Sequence, residues 1–258
     1  MESRHRTHRN GEVEIAFTDT PGPPGRTFVL VHGIGMGRVV FAELGEALSR
    51  SGRVLAIDMP GFGDSPEPGS LTSIADTAEN VARFIRQEAA GDVVLVGHSM
   101  GTQVVSEIAL HHPDLVEALV LIAPTVNRRE RTALRQALRM AQDLVDEGPK
   151  VLLLGLWQYA KTNPMWFVNK LKFMLNHRLE DICPDISAPT LLLRGETDPV
   201  CPPEWVAELA DTFPNATAQQ IDDRGHEAII KSPEPVASMI LEFIGAGSEI
   251  EPNAENAA

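Results

Sequence analysis

Residues 97–101 read Gly97-His98-Ser99-Met100-Gly101 and follow directly on the apolar run Val93-Val94-Leu95-Val96. A short continuous apolar run suits a strand buried on both faces. A helical stretch begins straight after it at Thr102-Gln103-Val104-Val105. The pentapeptide is thus a Gly-x-Ser-x-Gly elbow, in which a strand ends, the backbone turns sharply and a helix begins. Its glycines answer a tight turn and the close approach of neighbouring backbone. Ser99 is held strained, with its hydroxyl at the top of a sheet. The new helix points its N-terminal amides to where negative charge would develop. A merely structural glycine turn is the competing reading.

The flanking sequence alternates between two periodicities. Expected strands are Val13–Phe17, Phe28–Val31, Val54–Ile57, 93–96, Ala118–Ile122, Thr190–Arg194 and Ala216–Ile221. Between them lie expected helices at Phe41–Ser51, 73–90, 100–111, Pro203–Phe213 and Pro233–Ile244. Strand–helix alternation implies a mostly parallel sheet covered on both faces. From Thr125 to about Ile186 the alternation stops, and the pattern is helical at Arg131–Val145, Lys150–Ala160 and Met165–Leu175. That segment reads as an insertion over one end of the sheet.

Composition narrows the function classes. The 258 residues suffice for one large α/β domain, 43% hydrophobic, with a formal net charge of −14. Such a charge argues against a nucleic-acid partner, which needs a basic face. Met1–Asn10 is rich in Arg and His and lacks the apolar core of a signal peptide. No stretch approaches the roughly 18 apolar residues of a membrane span. Cys183 and Cys201 are too few for a disulfide framework and lack metal-ligand spacing. The expectation is a cytoplasmic protein without cofactor or metal, monomer or homodimer undecided. Its tail, residues 246–258, is small, polar, acidic and expected to be disordered.

In an open parallel sheet, functional groups collect at the C-terminal ends of the strands. Ser99 stands at one such end. Asp198 follows Thr190–Arg194 in Gly195-Glu196-Thr197-Asp198, and His226 follows the last strand in Gly225-His226-Glu227. The turn His32-Gly33-Ile34-Gly35 follows Phe28–Val31. The order Ser, Asp, His is that of triads built on this elbow. Asp198-Pro199 also reads as a simple turn. Asp222 and Asp223 are rival acids, but they lie too close in sequence to His226 to orient it easily.

With these motifs and Asp58-Met59-Pro60-Gly61-Phe62-Gly63-Asp64-Ser65, the sequence resembles the α/β-hydrolase superfamily, in its capped serine esterase/lipase-like branch. The resemblance spans about residues 12–245. It implies an α/β-hydrolase fold with a mostly parallel central sheet flanked by helices and a helical cap inserted after the sixth strand. The core would be residues 1–124 and 187–245, the cap 125–186. It implies Ser99 as nucleophile, His226 as base and Asp198 as the acid that fixes the imidazole. The oxyanion donors would be the backbone amides of Ile34 and Met100. Asp58 and Asp64 would shape a loop.

Other groups divide between packing and chemistry. His98 reads as bonding locally. His32 braces the oxyanion loop or touches substrate. Cys201 near Asp198 reads as a buried inert thiol. The insertion holds Trp157, Trp166, Met140, Met165 and many leucines, which either pack the cap or wall an adaptable apolar pocket. The expected substrate is a small-molecule hydrophobic ester, with His32, Trp157, Trp166 and Val200 as its contacts. The cap cations Arg128, Arg129, Arg131, Arg135, Arg139, Lys161, Lys170 and Lys172 read mostly as a solvated face, one of which could bind an acid group. Rival activities are C–C bond hydrolysis of ring-cleavage products, lactone or thioester cleavage, acyl transfer and non-catalytic ligand reception. Haloalkane and epoxide chemistry are disfavoured, because they need a carboxylate where Ser99 stands.

Overall fold

The computed structural model describes residues 2–146 and 162–248. Eight strands form one sheet in the order β1-β2-β4-β3-β5-β6-β7-β8. These are β1 (Arg4–Asn10), β2 (Val13–Thr20), β3 (Arg26–Val31), β4 (Arg53–Ile57), β5 (Asp92–His98), β6 (Ala118–Ile122), β7 (Thr190–Gly195) and β8 (Ala216–Ile221). Strands β3 to β8 run parallel; β1 and β2 form an antiparallel hairpin appended at β4. The α/β-hydrolase fold expected from the sequence is the one observed.

The central strands carry unbroken apolar runs through their middles because both faces are covered. Val29 and Val31 of β3, Leu95 of β5, and Leu119 and Leu121 of β6 face one core. Phe28, Leu30, Val94, Val96, Val120 and Ile122 face the other. The first core is closed by α2 (Ile74–Glu88), α3 (Met100–His111) and α7 (Pro203–Thr212). The second is closed by α1 (Ala42–Leu48), α8 (Ala228–Lys231) and α9 (Pro233–Ser248). The remaining described helices, α4 (Ala133–Asp146), α5 (Pro164–Asn176) and the short α6 (Leu179–Ile182), lie between β6 and β7. The expected helix at Lys150–Ala160 and its Trp157 fall outside the described residues.

The structure adds one element to the sequence reading and corrects another. Arg4–Asn10, not foreseen as structured, is an edge strand. Solvent bathes most of it, so it carries no apolar period. It is registered instead by cross-strand pairs, Arg6 with Asp19 at 3.0 Å and Arg9 with Glu14 at 2.7 Å. The final helix also runs on to Ser248, past the start of the expected disordered tail. Residues 249–258 lie outside the described range.

The topology fixes where a site can form. Strand β3 sits between β4 and β5, so the chain leaves its C-terminal end one way and that of β5 the other. Such a switch point opens a crevice at the carboxyl edge. Register pairs Val31 with Gly97, which sets the His32 turn and the elbow side by side.

Candidate active site

Ser99 has φ 53° and ψ −121°, a left-handed conformation uncommon for a residue with a side chain. The surroundings over-determine it. The Ser99 N–H donates to the Ile122 carbonyl at 3.0 Å, and the Thr102 hydroxyl and N–H both donate to the Ser99 carbonyl. The elbow glycines are required sterically. A Cβ on Gly101 would stand 2.1 Å from the Val31 carbonyl oxygen, and one on Gly97 would stand 2.6 Å from that of Gly101. Gly33 lies against the serine as well, its absent Cβ position 3.0 Å from Ser99 Cβ.

Asp198 reaches the site from the loop after β7. Its Oδ1 accepts the backbone N–H groups of Val200 at 2.8 Å and Cys201 at 3.0 Å. Its Oδ2 lies 2.8 Å from His226 Nδ1. Asp198-Pro199 is a turn, and that turn aims the carboxylate at His226. Gly195 allows this loop to lie on the histidine loop, since a Cβ there would fall 2.3 Å from the carbonyl oxygens of Arg224 and Gly225. Asp222 and Asp223 are exposed; Asp223 turns its N–H to Glu196 at 3.0 Å.

His226 is fully buried, and its Nε2 is 3.1 Å from Ser99 Oγ. A carboxylate can only accept, so Nδ1–H donates to Asp198, and in the neutral ring Nε2 is left as an acceptor towards Ser99 Oγ. Burial alone would push the imidazole pKa down. The nearby Asp198, Glu227 and Asp143 carboxylates outweigh it and raise the value to about 9. In return, His226 and the two backbone N–H groups hold Asp198 below its ordinary value, against its own burial.

Two further residues grip the main chain of His226. His98 donates from Nε2–H to the His226 carbonyl at 3.0 Å. Burial and the nearby His226 lower the pKa of His98 to about 3, so it stays neutral. The His226 N–H donates to Asp143 Oδ1 on α4 at 2.8 Å. Asp143 could not be singled out from sequence. It is one acid on an amphipathic helix, 83 residues from its partner.

The structure places the other expected site residues as follows. His32, expected as a substrate contact, is buried with both ring nitrogens engaged. The Met59 N–H donates to Nε2 at 3.0 Å, so Nδ1–H donates to the Gly33 carbonyl at 2.7 Å. Burial pushes its pKa below the ordinary imidazole value. Val200, also expected at the substrate, is buried and supports Asp198 through its N–H. Ile34 lies in the turn beside the serine and is half-buried. Met100 opens α3, so its N–H is one of the donors a helix cannot satisfy internally. Trp166 is buried against Gly61, with Lys170 Nζ 5.0 Å from its ring centroid. Met165 is exposed. Asp58 is buried and ties together Arg38 and the Asp64 N–H, which makes it a loop brace. Among the described residues no group of three or more His, Cys, Asp or Glu is placed to hold a metal, and no helix is long and apolar enough to cross a membrane.

A strained serine at a strand–helix elbow, linked through a buried imidazole to a buried carboxylate, defines a class of hydrolytic sites. The chain belongs to the alpha/beta hydrolase family, whose model matches residues 28–239. It is similar to the pimeloyl-[acyl-carrier protein] methyl ester esterase of Vibrio cholerae, at 27% identity over 85% of this chain and 94% of that protein. It is also similar to the (E)-2-((N-methylformamido)methylene)succinate hydrolase of Acinetobacter baylyi, at 26% identity over 82% of this chain and 88% of the relative. Among solved structures it resembles a thermophilic esterase from Thermogutta terrifontis, with a TM-score of 0.78, 25% identity, and coverage of 94% and 98% of the two chains.

Proposed function

We propose that the protein is a serine hydrolase that cleaves the carboxylic ester of a small to medium hydrophobic substrate through an acyl-enzyme. One observation carries the reading: the continuous relay from Ser99 Oγ to His226 at 3.1 Å and from His226 to Asp198 at 2.8 Å. In this reading Ser99 Oγ attacks the ester carbonyl carbon while His226 Nε2 takes the hydroxyl proton. The tetrahedral oxyanion is received by the backbone N–H groups of Ile34 and Met100. His226 then returns the proton to the departing alkoxide, and Asp198 stabilises the transient imidazolium. Water activated by the same histidine cleaves the acyl-enzyme and restores Ser99. No step calls for a cofactor.

The uncharged substrate is supported by the state of the cap arginines. Arg128 and Arg129 pair with Glu208, Arg131 with Glu180, and Arg139 with Glu130. Arg135 donates to the Arg129 carbonyl. Lys170, expected on a solvated face, is instead buried and donates to Thr72 and Thr77. That these cations already have protein partners favours an apolar ester over an acid-bearing ring-cleavage product. The test is turnover of p-nitrophenyl esters from acetyl through long-chain acyl to benzoyl by wild type and Ser99→Ala. Turnover on apolar esters, cut by about a million-fold in the variant, is expected. No turnover on any ester, or turnover that survives in Ser99→Ala, overturns the reading.

A further inference from the structure

Helix α4 belongs to the segment inserted between β6 and β7, yet it sends one buried carboxylate into the triad. Asp143 is 4% exposed, and its Oδ1 accepts the backbone N–H of His226 at 2.8 Å. The opposite end of the same residue is held by the core, through His98 Nε2–H on the His226 carbonyl at 3.0 Å. The histidine is thus clamped at both of its backbone polar groups, one clamp from the sheet and one from the insertion. We propose that Asp143 is a positioning residue that makes the cap a working part of the catalytic machinery, setting the His226 imidazole against Ser99 only while α4 is docked.

This inference rests on the serine hydrolase reading for its catalytic consequence, but its geometry stands apart from the identity of the substrate. An asparagine would satisfy the same N–H without bringing a charge into a buried place, where desolvation disfavours one. The carboxylate therefore adds something beyond the hydrogen bond. The groups facing His226 are Asp198 from the loop after β7, Glu227 at the start of α8, Asp143 from α4, and neutral His98 and Ser99 from the elbow. A polar cavity of about 360 Å³ adjoins this seam, lined by Asp143, Thr197, Pro199, Gly225 and Lys231 among others. Asp198 is the direct partner of the ring, and Asp143 adds a further anion from a different element. An anion nearby favours the imidazolium. Lifting α4 away would therefore loosen the loop and lower the affinity of the imidazole for its proton.

The test uses the full chain with Asp143→Asn, which keeps an acceptor and removes the charge, and Asp143→Ala, which removes both. The His226 imidazole is titrated by NMR in each protein, and kcat/KM for a p-nitrophenyl ester is followed against pH. In Asp143→Asn the imidazole midpoint is expected to fall by about one pH unit, and the acid limb of the kcat/KM profile to move with it. The plateau kcat should fall less than in Asp143→Ala, because an acceptor for the His226 N–H is kept. In Asp143→Ala the same fall should come with a plateau kcat about tenfold lower or more, because the loop has lost its anchor. A midpoint in Asp143→Asn equal to that of wild type overturns the proposal, whether or not Asp143→Ala folds. If wild type cleaves no ester, the esterase reading fails, while the NMR midpoint still decides the role of Asp143.

Discussion

Replacing Asp198 with asparagine changes one atom and, by the geometry of the site, inverts the histidine. In the native chain Oδ1 accepts two backbone N–H groups, from Val200 at 2.8 Å and Cys201 at 3.0 Å, while Oδ2 faces His226 Nδ1 at 2.8 Å. An asparagine must choose which of these places its NH2 will take. Facing Val200 and Cys201, it would set donors against two buried donors, leaving each unsatisfied at about 1–3 kcal/mol. Facing His226, it keeps both backbone bonds and presents a donor to Nδ1, which must then accept. The imidazole proton moves to Nε2, the atom 3.1 Å from Ser99 Oγ. A protonated Nε2 cannot take the serine proton. Loss of the carboxylate also removes the main counter-charge to the imidazolium. A wrong tautomer of this kind costs about 10⁴ in kcat, or about 5 kcal/mol of transition-state stabilisation. The assay is steady-state hydrolysis of the best p-nitrophenyl ester at saturating substrate, with circular dichroism to show that the variant is folded. A folded Asp198→Asn protein retaining kcat within about tenfold of wild type would refute the reasoning.

Three other outcomes follow from the same geometry. Since His226 must be neutral to act as base and its pKa is raised to about 9, kcat/KM should climb with pH up to that region; a limb at or below the ordinary imidazole value of 6.5 contradicts this. Gly101→Ala should destabilise the fold by about 3 kcal/mol or more in denaturant unfolding, because the new Cβ meets the Val31 carbonyl at 2.1 Å and neither backbone can yield; an unchanged midpoint would count against the packing described. Both thiols should resist a disulfide reagent in the native protein and react after unfolding, because burial raises the Cys183 pKa to about 12 and lifts that of Cys201 as well; rapid labelling of the native chain would contradict their burial.

What was legible in the sequence follows physical lines. Strands β3, β5, β6 and β7 are buried on both faces, so Phe28–Val31 or Val93–Val96 declares itself as an unbroken apolar run. Ser99 and Asp198 follow the ends of such strands; His226 follows β8, which is mostly polar and partly exposed, and is marked instead by its place after the last strand. Edge strand β1 gave no such signal, because mostly solvent-facing residues need no apolar period. The uses of single polar atoms were not legible either. Sequence leaves His32 facing substrate or scaffold, and only the structure shows its ring nitrogens bonded to Met59 and Gly33. Val200 was expected at the pocket for its side chain, but its N–H is the part that matters to Asp198. Asp143 meets His226 through tertiary packing of the insertion, a contact that no local pattern encodes.

The most direct test of the central claim is to trap the covalent intermediate. The protein would be mixed with a slowly deacylating ester, quenched within the first turnover, and examined by intact-mass and peptide mass spectrometry. The expected result is one acyl group per chain, carried by the peptide that contains Ser99 and absent from Ser99→Ala. Ester hydrolysis with no adduct on Ser99, and undiminished in Ser99→Ala, would contradict it.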